Sequence, residues 1–131
     1  MTYTIAFVGN PNVGKSAWIN ALAKADFKVG NWAGVTVEKK EAHVVWGNET
    51  YHLIDLPGTH SLEEGVNEEG ITGSYLRQNK VDLLVNVLDA TNLAANLYLT
   101  LCLRELQIPM LVLFSFIDEV ENMNMHILSL I

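Results

Sequence analysis

Only one cysteine, Cys102, occurs in the 131 residues, so no internal disulfide can staple the chain. It lies in an apolar helical stretch and reads as a buried thiol, which fits a reducing compartment. Basic residues are scarce as well. Eight Lys and Arg face 15 Asp and Glu, leaving a formal charge of −7. General nucleic-acid binding needs a basic footprint, so that class is excluded. No long hydrophobic run is present: the longest, residues 110–117, is far too short to span a bilayer. No N-terminal segment joins basic residues to an apolar run and a small-residue cleavage site, so no signal peptide is expected. The chain by itself should be soluble and cytoplasmic. The histidines at 43, 52, 60 and 126 lack metal-ligand spacing. Repeats, low-complexity tracts and linker-like composition are absent too.

What is present is a hydrophobic half: 50% of the residues are apolar, enough for one domain with a real core. Periodicity predicts strands at 3–8, 37–46, 50–55, 82–88 and 110–116, and helices at 15–24, 68–78 and 93–106. Gly47-Asn48 is a hairpin signal, so the second and third strands should pair antiparallel. His43 and His52 then fall on paired strands, in a cross-strand or surface role. Alternating strands and helices predict a three-layer α/β domain, a mostly parallel sheet with one antiparallel edge strand and ligands at the carboxyl ends of its strands. Trp18 reads as core.

The most informative stretch is Gly9-Asn10-Pro11-Asn12-Val13-Gly14-Lys15-Ser16, which fills the template G-x-x-x-x-G-K-[ST] between a strand and a helix whose opening turns run on through Ala17. Such a loop turns successive backbone N–H groups inward and adds the positive end of a helix dipole. Lys15 can then reach β- and γ-phosphates, and the Ser16 hydroxyl can ligate Mg²⁺. A metal ligand and a γ-phosphate sensor should follow, and Asp55-Leu56-Pro57-Gly58 fits D-x-x-G at the end of the third strand. Between the first helix and the second strand, residues 29–36 carry two glycines and an asparagine, suggesting a mobile loop ending in Thr36. A threonine there can close on Mg²⁺ and γ-phosphate and release after hydrolysis. Read alone, Thr36 is better taken as an ordinary β-branched strand residue.

Two segments compete for the base-recognition pattern N-x-x-D. Asn86-Val87-Leu88-Asp89 fits by letter, but one strand–helix unit too early. Ser115-Phe116-Ile117-Asp118 fits only at its aspartate, yet stands in register. The Asp118 carboxylate could accept the N1–H and N2 amino protons of guanine, which adenine cannot offer.

Together these residues, with Val29-Gly30-Asn31-Trp32-Ala33-Gly34-Val35-Thr36-Val37-Glu38-Lys39-Lys40, Asp89-Ala90-Thr91-Asn92-Leu93 and Asn96-Leu97-Tyr98-Leu99-Thr100, resemble the N-terminal GTPase domain of the ferrous iron transport protein B family. The resemblance implies a P-loop NTPase, a Ras-like G domain lacking its C-terminal strand and helix. It implies GTP and GDP as ligands, with Gly9 to Ala17, Asp55, Gly58, Ser115 and Asp118 around the nucleotide. It implies Ser16, Thr36 and Asp55 at Mg²⁺, and Asn12 at an activating K⁺. Lys15, Asn12, Thr36 and Gly58 would serve hydrolysis. The expected partner is the family's membrane transporter domain, at the cytoplasmic face of the bacterial inner membrane.

Two departures from the family pattern stand out, at Ser115 and at the end of the chain. Ser115 replaces an asparagine, which should lower nucleotide affinity while Asp118 keeps selectivity. Thr59 follows D-x-x-G in place of glutamine, so no side chain of the usual kind orients water and slow turnover is expected. A chain ending at Ile131 would leave residues 110–116 as an apolar edge prone to association into homo-oligomers. Glu63, Glu64, Glu68 and Glu69 read as a solvated loop and helix start. Rival readings are an ATP-using P-loop enzyme, which would need an acceptor site not found here, and a binding-only or nonfunctional fragment.

Overall fold

A computed structural model describes residues 1–24, 27–63 and 68–115. The elements in chain order are β1 (Thr2–Gly9), α1 (Lys15–Ala23), β2 (Lys28–Asn31), β3 (Glu38–Trp46), β4 (Glu49–Asp55), α2 (Glu68–Gln78), β5 (Leu83–Asp89), α3 (Leu93–Arg104) and β6 (Met110–Ser115). They build one six-stranded sheet in the order β2-β3-β4-β1-β5-β6. β1 lies between β4 and β5, parallel to both, and β6 extends the parallel run. These strands are apolar on both faces because both faces are covered.

The two faces carry separate cores. On one, Phe7, Leu53, Val85 and Val87 pack with Ile19 and Ala23 of α1 and with Val13 from the loop before it. On the other, Ala6, Val8, Ile54 and Leu84 pack with Leu76 of α2 and with Leu99 and Leu103 of α3. Leu53, Ile54, Leu84 and Leu103 are fully enclosed, each contributing about 2 kcal/mol of apolar transfer energy. Trp18 is half-buried against the first core and Cys102 half-buried against the second, so the thiol is less enclosed than expected. No described helix is long and apolar enough to cross a membrane.

One part of the expected sheet needs correction. The second predicted strand, now β3, is antiparallel to β4 across the Gly47-Asn48 turn as expected, but it is not the edge. A further strand, β2, pairs antiparallel with it from Lys28↔Glu41 to Asn31↔Glu38, inside the segment read as a loop. Every residue of β2 is exposed, so no apolar alternation marked it. Backbone pairing, with a single opposite-charge register pair at Lys28 and Glu41, is enough to hold such an edge. At the other end, among the described residues, β6 closes the sheet with Leu111 exposed.

Candidate nucleotide-binding site

The loop from β1 to α1 forms the wall of a cavity of about 520 Å³, lined by residues 10–16 with Gly58 and His60. Gly14 caps α1 with φ 83°, a left-handed conformation that glycine adopts without strain. No side chain caps that helix, so its first N–H groups are left for a ligand. A helix start with free N–H groups beside a lysine is an anion site.

Buried contacts brace this loop from beneath. Asn10 is only 5% exposed and donates from Nδ2 to the Ala95 carbonyl of α3 at 3.1 Å. Its side chain therefore faces α3, leaving its backbone to the cavity. Ser115 at the end of β6 is also buried, its hydroxyl donating to the Val13 carbonyl and lying 3.2 Å from that of Leu88. Gly58 sits so close to the loop that a Cβ would lie 2.9 Å from Pro11 Cα. The next residue, Thr59, donates its N–H to the Gly9 carbonyl at 3.0 Å and its hydroxyl to the Ser61 carbonyl at 2.7 Å.

The predicted phosphate and metal ligands meet at one corner. Lys15 Nζ pairs with the Asp55 carboxylate and donates to the Leu56 carbonyl at 2.6 Å, with both side chains largely enclosed. Ser16 and Asp55 share a second cavity of about 360 Å³ with Lys40 and Asn20. A hydroxyl and a carboxylate are hard oxygen donors of the kind Mg²⁺ takes. Asn12 is exposed in the left-handed region at φ 63° and lines the phosphate cavity. Pro11 and Ala17 are exposed beside it.

Thr36 does not join this cluster. Residues 32–37 form the tip of the β2–β3 hairpin, closed by the Trp32 N–H on the Val37 carbonyl at 2.9 Å. Thr36 is exposed there and lines neither cavity. The hairpin is held at its side by Trp32, edge-on to Tyr75 of α2 at 5.7 Å and under the Lys39 ammonium at 4.8 Å. Farther down β3, His43 stacks on His52 at 4.6 Å, and His52 Nε2 lies 2.8 Å from a Glu41 oxygen. That contact, more than the nearby Lys39 charge, holds the Glu41 carboxyl below its ordinary value of 4.5. Asn86 is fully buried with its amide on Thr100, as a sheet residue rather than a base reader. Asp118 lies outside the described residues, as does His126. His60 is the lining residue that motif reasoning passed over, since only metal spacing was sought among the histidines.

The family model described as ferrous iron transport protein B matches residues 3–129. The Fe(2+) transporter FeoB of Campylobacter jejuni is 52% identical over 118 residues, 90% of this chain and 19% of that protein. The chain belongs to the ferrous iron transport protein B family. The FeoB of Escherichia coli strain K12 is 45% identical over 128 residues, 95% of this chain and 17% of that protein. The chain thus spans about a fifth of the curated FeoB relatives it matches. Among solved structures, the G domain of T. maritima FeoB superposes with a TM-score of 0.85 at 39% identity, covering 93% of this chain and 77% of that one. A mutant S. thermophilus NFeoB bound to mGDP superposes at 0.87 with 37% identity, covering 96% and 48%. The fold is therefore the P-loop NTPase fold of the FeoB G domain.

Proposed function

We propose that this chain binds guanine nucleotide and hydrolyses GTP as the switch domain of a ferrous iron transporter. The observation that carries this reading is the convergence of Lys15, Ser16 and Asp55 beside a helix start with uncapped N–H groups. Relatives of this fold have been captured with GDP or mGDP.

Loop amides and Lys15 hold the phosphates, which requires Lys15 to exchange Asp55 and the Leu56 carbonyl for phosphate oxygens. Ser16 and the freed Asp55 would hold Mg²⁺, directly or through water, and the ion would supply positive charge against the β- and γ-phosphates. Gly58 presents its N–H to the γ-phosphate, and Thr36 reaches the same corner only when the hairpin tip closes. Asp118 selects guanine, while Ser115 acts from below by fixing Val13. Asn12 offers its amide oxygen to K⁺. Its partner is the family's membrane transporter domain, with this domain on the cytoplasmic face of the bacterial inner membrane. A second reading, binding without turnover, is favoured by the inward-turned Thr59.

Phosphate release from Mg·GTP separates the two readings. Turnover is expected, and faster in potassium than in sodium. Equal rates in the two salts remove Asn12 from the account, and GTP binding without release supports the second reading.

A further inference from the structure

A helix packed on a sheet buries an apolar stripe, and part of the seat of α3 is polar instead. Leu99 and Leu103 pack into the core, but Asn86 of β5 is fully buried and donates from Nδ2 to the Thr100 hydroxyl at 2.8 Å. Asn96 is also buried, accepting the Asp89 N–H at 3.3 Å and donating to the Asn92 carbonyl at 2.7 Å. Asn10, at the start of the phosphate loop, completes this seam through its bond to the Ala95 carbonyl. Two of the amides are only half used. The Oδ1 atoms of Asn10 and Asn86 are buried with no hydrogen-bond partner among the described residues.

A buried acceptor without a partner costs stability. Leucine would fill the place of Asn10 about as stably, because the Ala95 carbonyl lies in a helix whose own N–H groups reach it. What asparagine adds there is direction: one donated bond that fixes the start of the loop to one carbonyl of α3. The next residues are held in turn. Gly58 presses on Pro11, and the Val13 carbonyl takes the Ser115 hydroxyl. Ser115 accepts, at its own carbonyl, the N–H of Ala90 between β5 and α3. Both ends of residues 10–13 are thus tied to the junction of β5 and α3.

We infer that Asn10 is a positioning residue, holding the phosphate loop against α3 so that the loop's N–H groups meet the β- and γ-phosphates. Its side chain acts through the loop backbone and not on the phosphates, and the role rests on the guanine-nucleotide reading above. The place of the loop is then set by the place of α3.

Asn10→Leu, with Asn10→Ala as a smaller replacement, tests this in the whole chain. The urea unfolding midpoint of Asn10→Leu should match or exceed that of the wild type. Fluorescent GDP and GTP should each bind about fivefold more weakly, the size of one lost hydrogen bond. Competition by GMP, which lacks both phosphates, should give the same affinity in variant and wild type. A leucine variant that binds GDP as tightly as the wild type would overturn the inference. So would a lowered unfolding midpoint in both variants, which makes Asn10 an ordinary core residue, or a loss of GMP affinity equal to that for GDP. A wild type that binds no guanine nucleotide overturns this inference and the functional reading together.

Discussion

The loop between β1 and α1 and the β2–β3 hairpin both stand at the carboxyl end of the parallel strands, yet they are held in opposite ways. The loop is braced by buried contacts from three distant elements: Asn10 to α3, Ser115 from β6, and Gly58 after β4. The hairpin is held by an exposed β2 ladder and one aromatic edge contact, and its ion pairs, Lys39–Glu41 and Lys40–Glu38, lie within β3. Buried polar contacts are costly to break, whereas exposed ion pairs are each worth little. The loop is therefore a preformed cradle, and the hairpin is the part that can move between positions at small cost. The Lys15–Asp55 pair joins the two behaviours, since a ligand must exchange it before Asp55 can serve a metal.

Substitutions should divide along that line. The largest effect is expected from Lys15→Ala, which removes the cradle's fixed charge. GTP affinity should fall on the order of 100-fold, the loss of two charge-assisted hydrogen bonds at about 1.5 kcal/mol each, measured by fluorescent nucleotide titration. Gly58→Ala comes next. Its Cβ would meet the Pro11 backbone at 2.9 Å, so overpacking should cost about 1–3 kcal/mol in urea unfolding and weaken GTP binding as the walls separate. An alanine variant of unchanged stability would show that the cradle gives way freely.

The smallest effect belongs to the hairpin side. Glu41 has a lowered pKa in the folded state because His52 contacts its carboxylate. Its contribution to stability is fully present above the ordinary value of 4.5 and is lost as pH falls through the lower folded value. Glu41→Gln should therefore flatten a shallow acid-side slope in unfolding free energy below that pH and lower stability at neutral pH by the same small amount. A slope that the variant leaves intact would assign it to other carboxylates.

The same division explains what could be read from the amino acids. The cradle was legible because its requirements are local: glycines, a lysine and a hydroxyl at fixed spacing between a strand and a helix. Asp55 and Gly58 were legible for the same reason, one hairpin later. β2 was not, because Lys28, Val29, Gly30 and Asn31 are all exposed and carry no period. Nor was the direction of the Asn10 side chain, which depends on where α3 packs. Ser115 was read as a base contact, but its hydroxyl meets a carbonyl 102 positions away, a contact that only the assembled sheet creates. His60 was missed because cavity lining depends on how the chain after β4 packs against the loop, not on histidine spacing.

The central claim is that this cradle is a guanine-nucleotide site. It is tested most directly by titrating the chain, in Mg²⁺ and K⁺, with fluorescent GTP and fluorescent ATP side by side. The account predicts saturable GTP binding at least about tenfold tighter than ATP, since adenine leaves the base-reading carboxylate unpaired. ATP binding as tight as GTP, or tighter, would contradict it.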